Sequence, residues 1–290
     1  MNLKTGKIVV SYAIEIKGLR KNYRDFSLKD ISFSLPAGHI MGFAGRNGAG
    51  KTTTIHLILN MTSRNSGNIS ILEMDNIQNE LQIKQDVGVV FDEIFFVENW
   101  KVSEVEKAIS RFYRHWDSLL YCRYIKDFEL SFHKKVKELS RGMKMKLMLA
   151  VAMSHNAKLL ILDEPTSGID PVARNELLEI LSAYVSDGEK SVLFSTHITE
   201  DLEKIADYIS LIEHGDLFYT GTKDGLLNGF FMVRGDLGEL TAELRDRIIG
   251  LSTNRTEFQG LIPAEAAEGL SKNIVLATPA INEVLVHISK

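Results

Sequence analysis

The chain has 290 residues, of which 44% are hydrophobic and 25% charged, and these values are ordinary for a globular protein. Its net charge of −4 gives no overall field that would attract nucleic acid or anionic lipid. The single cysteine, Cys122, excludes a disulfide within the chain and is typical of a reducing compartment. No stretch reaches the roughly 20 apolar residues of a membrane span, and the first residues lack a signal-peptide pattern. If the protein acts at a membrane, another chain must cross it.

Two stretches near the start, Ala13–Tyr23 and Leu28–Gly45, alternate apolar and polar residues and predict strands, with a turn at residues 36–38. The run KTTTIHLILNMT that follows Gly50 has the apolar spacing of a helix. Between them, GRNGAGKT (Gly45–Thr52) matches the pattern G-x-x-x-x-G-K-[ST]. Strand, loop and helix are the context that a phosphate-binding loop requires, in which backbone N–H groups, the helix dipole and a lysine bind phosphate.

The middle of the chain is predicted to be mostly helical after a short strand at Val87–Phe91. Five aromatic residues in this region are expected to pack inside it: Phe112, Tyr113, Trp116, Tyr121 and Tyr124.

The stretch LSRGMKMKL (139–147) places Ser140 and Gly142 at the start of an apolar helix, where backbone N–H groups form an anion site without lysine or metal. Six basic residues lie between positions 134 and 146, and without a basic domain they indicate a solvated helix face rather than a nucleic-acid site.

Two further apolar runs predict central strands of a parallel sheet. LLIL (Leu159–Leu162) leads directly into Asp163 and Glu164, and SVLFST leads into His197. Asp163 can support Mg²⁺, and Glu164 can orient and deprotonate a water aimed at a γ-phosphate. Two adjacent acids after a buried strand favour hydrolysis of the phosphate bond by water over transfer of the phosphoryl group to a bound acceptor.

The chain changes in character near Asn228. Three strand-like pieces (FFMVRG, RTEFQGLIP and NIVLATP) alternate with two helical ones (LGELTAELRDRIIG and INEVLVHISK), which predicts a small α/β appendage. We expect an N-terminal extension at 1–12, a main domain at 13–227 with a helical part at about 93–155, and a small domain at 228–290.

The motifs GRNGAGKTT, LSRGM, ILDEPTSGID and STH, in this order, resemble the ATP-binding subunits of ABC transporters over about residues 13–221. Details around LSRGM are most similar to bacterial drug, lipid and peptide export or resistance cassettes. The resemblance implies a P-loop α/β fold with a mainly parallel core sheet, an antiparallel β subdomain and an α-helical subdomain. It also implies ATP and Mg²⁺ as ligands.

Carried over residue by residue, the resemblance implies a nucleotide site with catalytic roles for Lys51, Glu164 and His197. Tyr23 would stack on adenine, with a core tyrosine as the alternative. Thr52, Asp163 and Asp92 would hold the metal. The phosphate contacts would come from Gly45, Arg46, Asn47, Gly48, Ala49, Gly50, Lys51, Thr52 and Thr53.

Three residues would act across a subunit boundary. Ser140 and Gly142 would bind the γ-phosphate held by a second subunit, and Asp170 would lie in a loop that faces that subunit. The chain is therefore expected to be half of an ATP-closed dimer, with an identical second subunit as the simplest arrangement.

Asp92 departs from the family pattern, which usually has glutamine after this strand. Aspartate is shorter and anionic, so it could bind Mg²⁺ directly while adding negative charge beside the phosphates. We expect altered metal dependence or slower turnover.

The function predicted is ATP hydrolysis coupled to transport by a separate polytopic permease, at the cytoplasmic face of the membrane and without nucleic acid. A regulatory ATPase of the same fold is the alternative, although the chain has one cassette and no long heptad region. A P-loop kinase or GTPase would have no place for LSRGM and STH.

Overall fold

A computed structural model describes residues 11–289 of the chain, and nearly all of the predicted N-terminal extension lies outside that range. The described residues form three β-sheets with helices packed on them. No helix within this range has both the length and the apolar character needed to cross a lipid bilayer.

The first sheet is antiparallel, with strand order β2-β1-β4-β5. Alternate residues of its long first strand, including Ile14 and Ile16, are fully buried because that face packs in one apolar core with strand β3 (Ile40–Ala44) and helix α1 (Lys51–Ile58). The strand bounds are β1 Tyr12–Asn22, β2 Ser27–Pro36, β4 Ser66–Ile71 and β5 Met74–Asp75.

The central sheet has six strands in the order β10-β9-β3-β8-β7-β6, of which all but β10 run parallel. Its middle strands are buried end to end, as expected for a sheet covered on both faces. The bounds are β3 Ile40–Ala44, β6 Val87–Val90, β7 Leu159–Leu162, β8 Ser191–Thr196, β9 Tyr208–Glu213 and β10 Asp216–Thr222. The accompanying helices are α1 Lys51–Ile58, α2 Glu80–Asp86, α6 Pro171–Tyr184, α7 Thr199–Ile205 and α8 Lys223–Asn228.

A helical region lies between β6 and β7. It contains α3 Val102–Ile109, α4 Ser118–Asp127 and α5 Arg141–Met153, with 3₁₀ turns at Ser110–Phe112 and Val136–Glu138. The expected aromatic packing is present at four of the five positions, and Tyr121 is fully buried with its hydroxyl donating to the Val102 carbonyl at 2.9 Å. Phe112 is the exception, because its side chain is 73% exposed.

The C-terminal region forms the third sheet, an antiparallel one with strand order β12-β13-β11-β14. Its elements are β11 Phe230–Asp236, α9 Ala242–Arg247, β12 Ile249–Thr253, β13 Glu257–Pro263, β14 Val275–Ala277 and α10 Ile281–Ile288, with 3₁₀ turns at Leu237–Glu239 and Ala264–Ala267. The prediction of one helical piece through LGELTAELRDRIIG was therefore wrong at its end. Ile249 pairs with Leu261 of β13, and this tertiary pairing outweighs local helix propensity.

The C-terminal region shares its apolar core with the rest of the chain. Met232, Leu261 and Leu285 belong to the same buried cluster as Leu202 and Ile205 of α7. A domain boundary near residue 228 stays a prediction.

Candidate active site

The predicted site residues follow four strands that are adjacent in the central sheet. The phosphate loop follows β3, His197 follows β8, Asp163 and Glu164 follow β7, and Asp92 lies two residues after β6. Since neighbouring strands are about 4.8 Å apart, these segments span roughly 14 Å of one sheet edge. Ligands of parallel α/β sheets bind at this carboxyl edge.

The phosphate loop turns sharply into α1 at Gly50. Its φ of +119° is a conformation that side chains rarely adopt, and a Cβ there would lie 2.6 Å from Leu28 Cδ2. Helix α1 then begins at Lys51, with the Thr54 N–H bonded to the Gly50 carbonyl at 2.9 Å. The loop N–H groups therefore lie at a helix N-terminus, the arrangement that binds phosphate.

Lys51 is the buried cation of the site, with 5% of its side chain exposed. Its ammonium donates to the carbonyls of Gly45 at 2.7 Å and Arg46 at 3.2 Å. Glu164 Oε1 lies 3.0 Å away, which joins the loop after β3 to the loop after β7. The positive charge predicted from the motif is thus held at the loop, next to the predicted base.

Glu164 is held on two sides. Its Oε2 accepts a hydrogen bond from His197 Nδ1 at 2.7 Å, while Oε1 faces Lys51. Its backbone is in the left-handed region, with φ of +49°, which is uncommon for a residue with a side chain. Because Nδ1–H donates to the carboxylate, a neutral His197 has Nε2 free to accept a proton or a hydrogen bond.

Asp163 is buried and is oriented by a residue that the sequence reasoning missed. Ser195 donates its hydroxyl to Asp163 Oδ1 at 2.5 Å and accepts from the Glu164 backbone N–H at 2.9 Å. One serine of β8 thus fixes both acids that follow β7. Ser195 is the first residue of the STH motif, two residues before His197, so its place in that motif could have indicated it.

Oxygen ligands for Mg²⁺ are available from Asp163 and from the hydroxyl of Thr52, the second residue of α1. A carboxylate and a hydroxyl are the hard donors that this ion prefers. Within residues 11–289 no group of three or more His, Cys, Asp or Glu side chains forms a metal site. The two protein oxygens of Asp163 and Thr52 leave most positions of an octahedral Mg²⁺ ion to other ligands, such as nucleotide phosphates and water.

Asp92 is engaged elsewhere: its carboxylate accepts from the guanidinium of Arg141 in LSRGM. Both side chains are 46% exposed. A role for Asp92 as a metal ligand stays a prediction. To bind a metal, its carboxylate would have to contact the ion in addition to Arg141 or instead of it.

Ser140 is the N-cap of α5, as its position before an apolar helix predicted. Its Oγ accepts from the Met143 N–H at 3.3 Å, which leaves the hydroxyl proton to donate to another acceptor. No described hydrogen bond or ion pair connects Ser140 or Gly142 to the phosphate loop of the same chain.

The start of α5 packs closely on the start of α6. A Cβ on the buried Gly142 would lie 3.0 Å from Ala173 Cβ, so only glycine fits without a shift. Asp170 caps α6 by accepting from the N–H groups of Val172 and Ala173, both at 3.1 Å. LSRGM and the Asp170 loop therefore form one continuous surface.

Tyr23 lies in the turn after β1 with 47% of its side chain exposed, so the alternative of a core tyrosine was wrong. The ammonium of Lys21 lies 5.1 Å from its ring centroid. Adenine stacking at this ring stays a prediction.

A buried carboxylate near the site also escaped prediction. Asp201 of α7 is fully buried, accepts from Thr166 Oγ1 at 2.5 Å and pairs with Arg174 Nε at 2.6 Å. Thr166 belongs to the loop after Glu164, and α7 follows His197. This network ties the loop after Glu164 to the helix after His197. Nothing in the local sequence marks Asp201 as buried.

Comparison with known proteins fits these observations. The family model described as ABC transporter matches residues 28–167, and a model of an AAA domain matches residues 135–200. Nod factor export ATP-binding protein I of Rhizobium sp. (strain N33) is 30% identical over 235 residues, which cover 74% of this chain and 72% of the relative. The chain belongs to the ABC transporter ATP-binding family. It is an ATP-binding subunit, and its enzyme class is that of an ATPase.

Other ABC relatives agree. Linearmycin resistance ATP-binding protein LnrL of Bacillus subtilis (strain 168) is 31% identical over 219 residues, 73% of this chain and 70% of the relative. A solved structure of an ATP binding subunit of an ABC transporter superposes with a TM-score of 0.67 at 26% identity, covering 74% of this chain and 91% of that one. The dimeric post-hydrolysis cassette MJ0796 shares the fold, with a TM-score of 0.64 at 20% identity over 72% of this chain and 98% of that one. The predicted ABC cassette fold is confirmed.

Proposed function

We propose that two copies of this chain close around two ATP molecules and that hydrolysis, assisted by Mg²⁺, reopens them. A separate membrane-spanning subunit would convert this cycle into substrate movement. The observation that carries the proposal is the contact of Glu164 with both His197 and Lys51 at the phosphate loop.

Hydrolysis follows from the positions of these groups. Glu164 takes a proton from water, the water oxygen bonds to the γ-phosphorus, and the bond to the β–γ bridging oxygen breaks to release ADP. His197 Nε2 holds the water or the γ-phosphate while Nδ1–H orients Glu164. Lys51 stabilises the charge on the phosphate oxygens.

Thr52 and Asp163 would hold Mg²⁺ in this site. The ion supplies neutralisation of the phosphate charge and alignment of the transferred group. Ser195 contributes by fixing the Asp163 carboxylate.

Closure of two copies is supported by the second anion site. The hydroxyl of Ser140 and the N–H groups at the start of α5 form an anion-binding helix terminus that has no described bond to this chain's own phosphate loop. In a head-to-tail pair, they would complete the ATP site of the second copy.

The membrane partner has a suitable surface in an apolar groove of about 330 Å³ between α1, α2 and β6. Ile58, Met61, Val87 and Phe91 line it, and Met61 is 55% exposed. Phe95 is 71% exposed, and its ring centroid lies 5.4 Å from that of Phe91. We assign this groove to an apolar helix of the membrane-spanning subunit, which would hold the chain at the cytoplasmic face of the membrane. Relatives named for Nod factor export and linearmycin resistance support an export or resistance role.

The alternative is an ABC-type regulatory ATPase without a transport partner. An adjacent reading frame that encodes a polytopic membrane protein would favour the transporter. Co-expression with that protein should bring the chain to the membrane, and Phe95→Asp should release it. Retention of the Phe95→Asp variant would count against the assigned groove.

The central experiment is the variant Glu164→Gln in saturating Mg·ATP, with mass measured by light scattering. It should bind ATP, hydrolyse it at least about 100-fold more slowly and accumulate as a dimer. Glu179→Gln, at a position 74% exposed on α6, is the matched control and should behave as the parent chain. A second variant, Ser140→Arg in the Glu164→Gln background, should bind ATP as a monomer but not dimerise. Persistence of the monomer of Glu164→Gln at saturating ATP would refute closure of two identical copies.

A further inference from the structure

The C-terminal helix α10 lies across a groove from the phosphate loop. One wall is formed by the nucleotide site and the other by α10, and the groove has a volume of about 630 Å³. Arg46 and His197 lie on the first wall, and Asn282, Val286 and Ser289 lie on the second. The last region of the chain therefore borders the site where ATP is hydrolysed.

Helix α10 is fixed to the element that carries His197. Ile281, Val284 and Leu285 are buried in the main core together with Leu202 and Ile205 of α7. Because α7 begins two residues after His197, the apolar face of α10 packs on the continuation of the catalytic loop.

The opposite side of α10 is held by the C-terminal sheet. The buried His287 places Nδ1 2.7 Å from the Gly250 carbonyl. Gly250 has φ of +60°, and a Cβ there would lie 1.9 Å from the His287 carbonyl oxygen, so only glycine permits this approach. Arg234 of β11 adds an ion pair to Glu283 at 3.0 Å. Helix α10 is thus held on two sides, by α7 and by the C-terminal sheet.

The chemistry of the groove favours an acidic and partly apolar occupant. Arg46 and His197 lie on one wall, and none of its described lining residues is acidic. Val286 presents an apolar surface that is 47% exposed, and Asn282 is exposed beside it.

The start of α6 in a second copy has these properties. Val172 is 68% exposed, and the exposed Asp170 supplies the acid. Gly142 packs against Ala173, so the start of α6 and Ser140 form one surface of the chain. A copy that brings Ser140 to this phosphate loop also brings its Asp170–Val172 segment toward the surface beside the loop, where the groove lies.

We propose that the groove between the phosphate loop and α10 receives the Asp170–Val172 segment of the second copy, with Val286 packing on that copy's Val172. This proposal rests on the closure of two copies proposed above. It makes the C-terminal region a direct part of the subunit interface, so that α10 contributes to ATP-driven dimerisation.

The test uses the full chain in the Glu164→Gln background, with dimerisation measured against protein concentration in saturating Mg·ATP. Val286→Glu should weaken the dimer at least about tenfold, because it places an acid against Asp170 of the second copy. Val275→Glu is the matched control, because Val275 belongs to β14 of the same C-terminal region, is 60% exposed and lies outside the groove. It should leave the dimer affinity unchanged. ATP binding to the monomer should be equal in all three proteins.

Charge reversal identifies the occupant. Val172→Lys alone should also weaken the dimer, since it places a cation near Arg46, whereas Val286→Glu combined with Val172→Lys should recover most of the lost affinity. If Glu164→Gln dimerises but Val286→Glu has no effect, α10 is not part of the interface. If both single variants weaken the dimer and the combination brings no recovery, the Asp170–Val172 segment is not the occupant. Absence of dimerisation in Glu164→Gln itself would instead overturn the closure proposed above.

Discussion

Arg141 of the LSRGM segment donates to the carboxylate of Asp92, the residue that stands where the ABC family usually has glutamine. The same guanidinium lies against Gly168, where a Cβ would be 3.2 Å from Arg141 Nε. Arg141 therefore connects the end of β6 to the surface expected to face a second copy. The acid at position 92 therefore has a cationic partner within the chain. The identities of the two residues alone would not have predicted this contact.

The variant Asp92→Gln should change catalysis more than stability. The side chains of Asp92 and Arg141 are each 46% exposed, so their ion pair contributes at most about 1 kcal/mol to the free energy of unfolding. Removing an anion near the phosphates should raise turnover about fivefold, which corresponds to roughly 1 kcal/mol, and should shift the Mg²⁺ concentration for half-maximal rate. Steady-state ATPase assays over a Mg²⁺ series test this, with Asp127→Gln on α4 as the control. An unchanged rate and Mg²⁺ dependence would show that Asp92 has no part in metal or phosphate binding.

The variant His197→Ala should separate binding from chemistry. Loss of the 2.7 Å contact removes one of the two groups that hold Glu164 and the Nε2 proposed to hold the water or the γ-phosphate, so kcat should fall at least about 100-fold. Nucleotide affinity of the monomer should change little, because phosphate binding depends mainly on the loop and Lys51. Single-turnover hydrolysis and nucleotide titration measure the two effects, with the exposed His115→Ala as the control. Equal loss of affinity and rate would place His197 in ground-state binding instead.

Asp201 should matter for folding. Asp201→Ala removes a fully buried carboxylate from Thr166 and Arg174, and breaking such a pair costs about 3 kcal/mol. Equilibrium urea unfolding should show this loss, with a smaller one for Asp201→Asn, which keeps a partner for Thr166. Glu203→Ala, on an exposed position of the same helix, should leave the free energy of unfolding nearly unchanged. A small effect of Asp201→Ala would mean that Arg174 and Thr166 find other partners.

His155 should make the folded state sensitive to acid. It is buried, stacks on Tyr113 at 3.9 Å between ring centroids, and its Nδ1 lies 3.1 Å from the Gln85 carbonyl. Burial lowers the pKa of His155 in the folded state, although the Gln85 carbonyl acts in the opposite direction. The unfolded chain therefore takes up a proton more readily. The free energy of unfolding should decline as pH falls below about 6.5, the ordinary histidine value, until the pH passes the lowered folded pKa.

The variant His155→Phe tests that assignment because it keeps the ring but cannot titrate. Its free energy of unfolding, measured from pH 7.5 to 5, should vary less than that of the parent chain. His133→Phe, at an exposed position, should retain the parent slope. If His155→Phe declines as steeply as the parent, other groups control the acid response.

The phosphate loop, Asp163 and Glu164 could be located from sequence because each follows an apolar strand, and parallel strands end at one sheet edge. A histidine in such a position is usually structural, so the role of His197 depended on the order of motifs that the chain shares with the ABC family. Ser140 could be located because a helix start shows in the local pattern. Tyr23 remained ambiguous, since exposure depends on the turn at Phe26 that bonds to its N–H. Local patterns thus located these residues in the fold, and their roles in catalysis stay predictions.

Long-range relationships were not predictable in this way. Ile249 was expected in a helix but joins β12, because its partner Leu261 lies twelve residues further along the chain. The pairs Arg141–Asp92 and Arg174–Asp201 join segments separated by 49 and 27 residues. The spacing of apolar residues along the sequence gives no information about contacts between such distant segments. The contact of α10 with the phosphate-loop groove likewise depends on how two sheets pack.

The position of Ser289 in the wall of that groove has a practical consequence for labelling this protein. A bulky label on the side chain of Ser289 would lie in the groove and should hinder the proposed closure of two copies. A small fluorophore at the same side chain should change its emission when a second copy enters the groove.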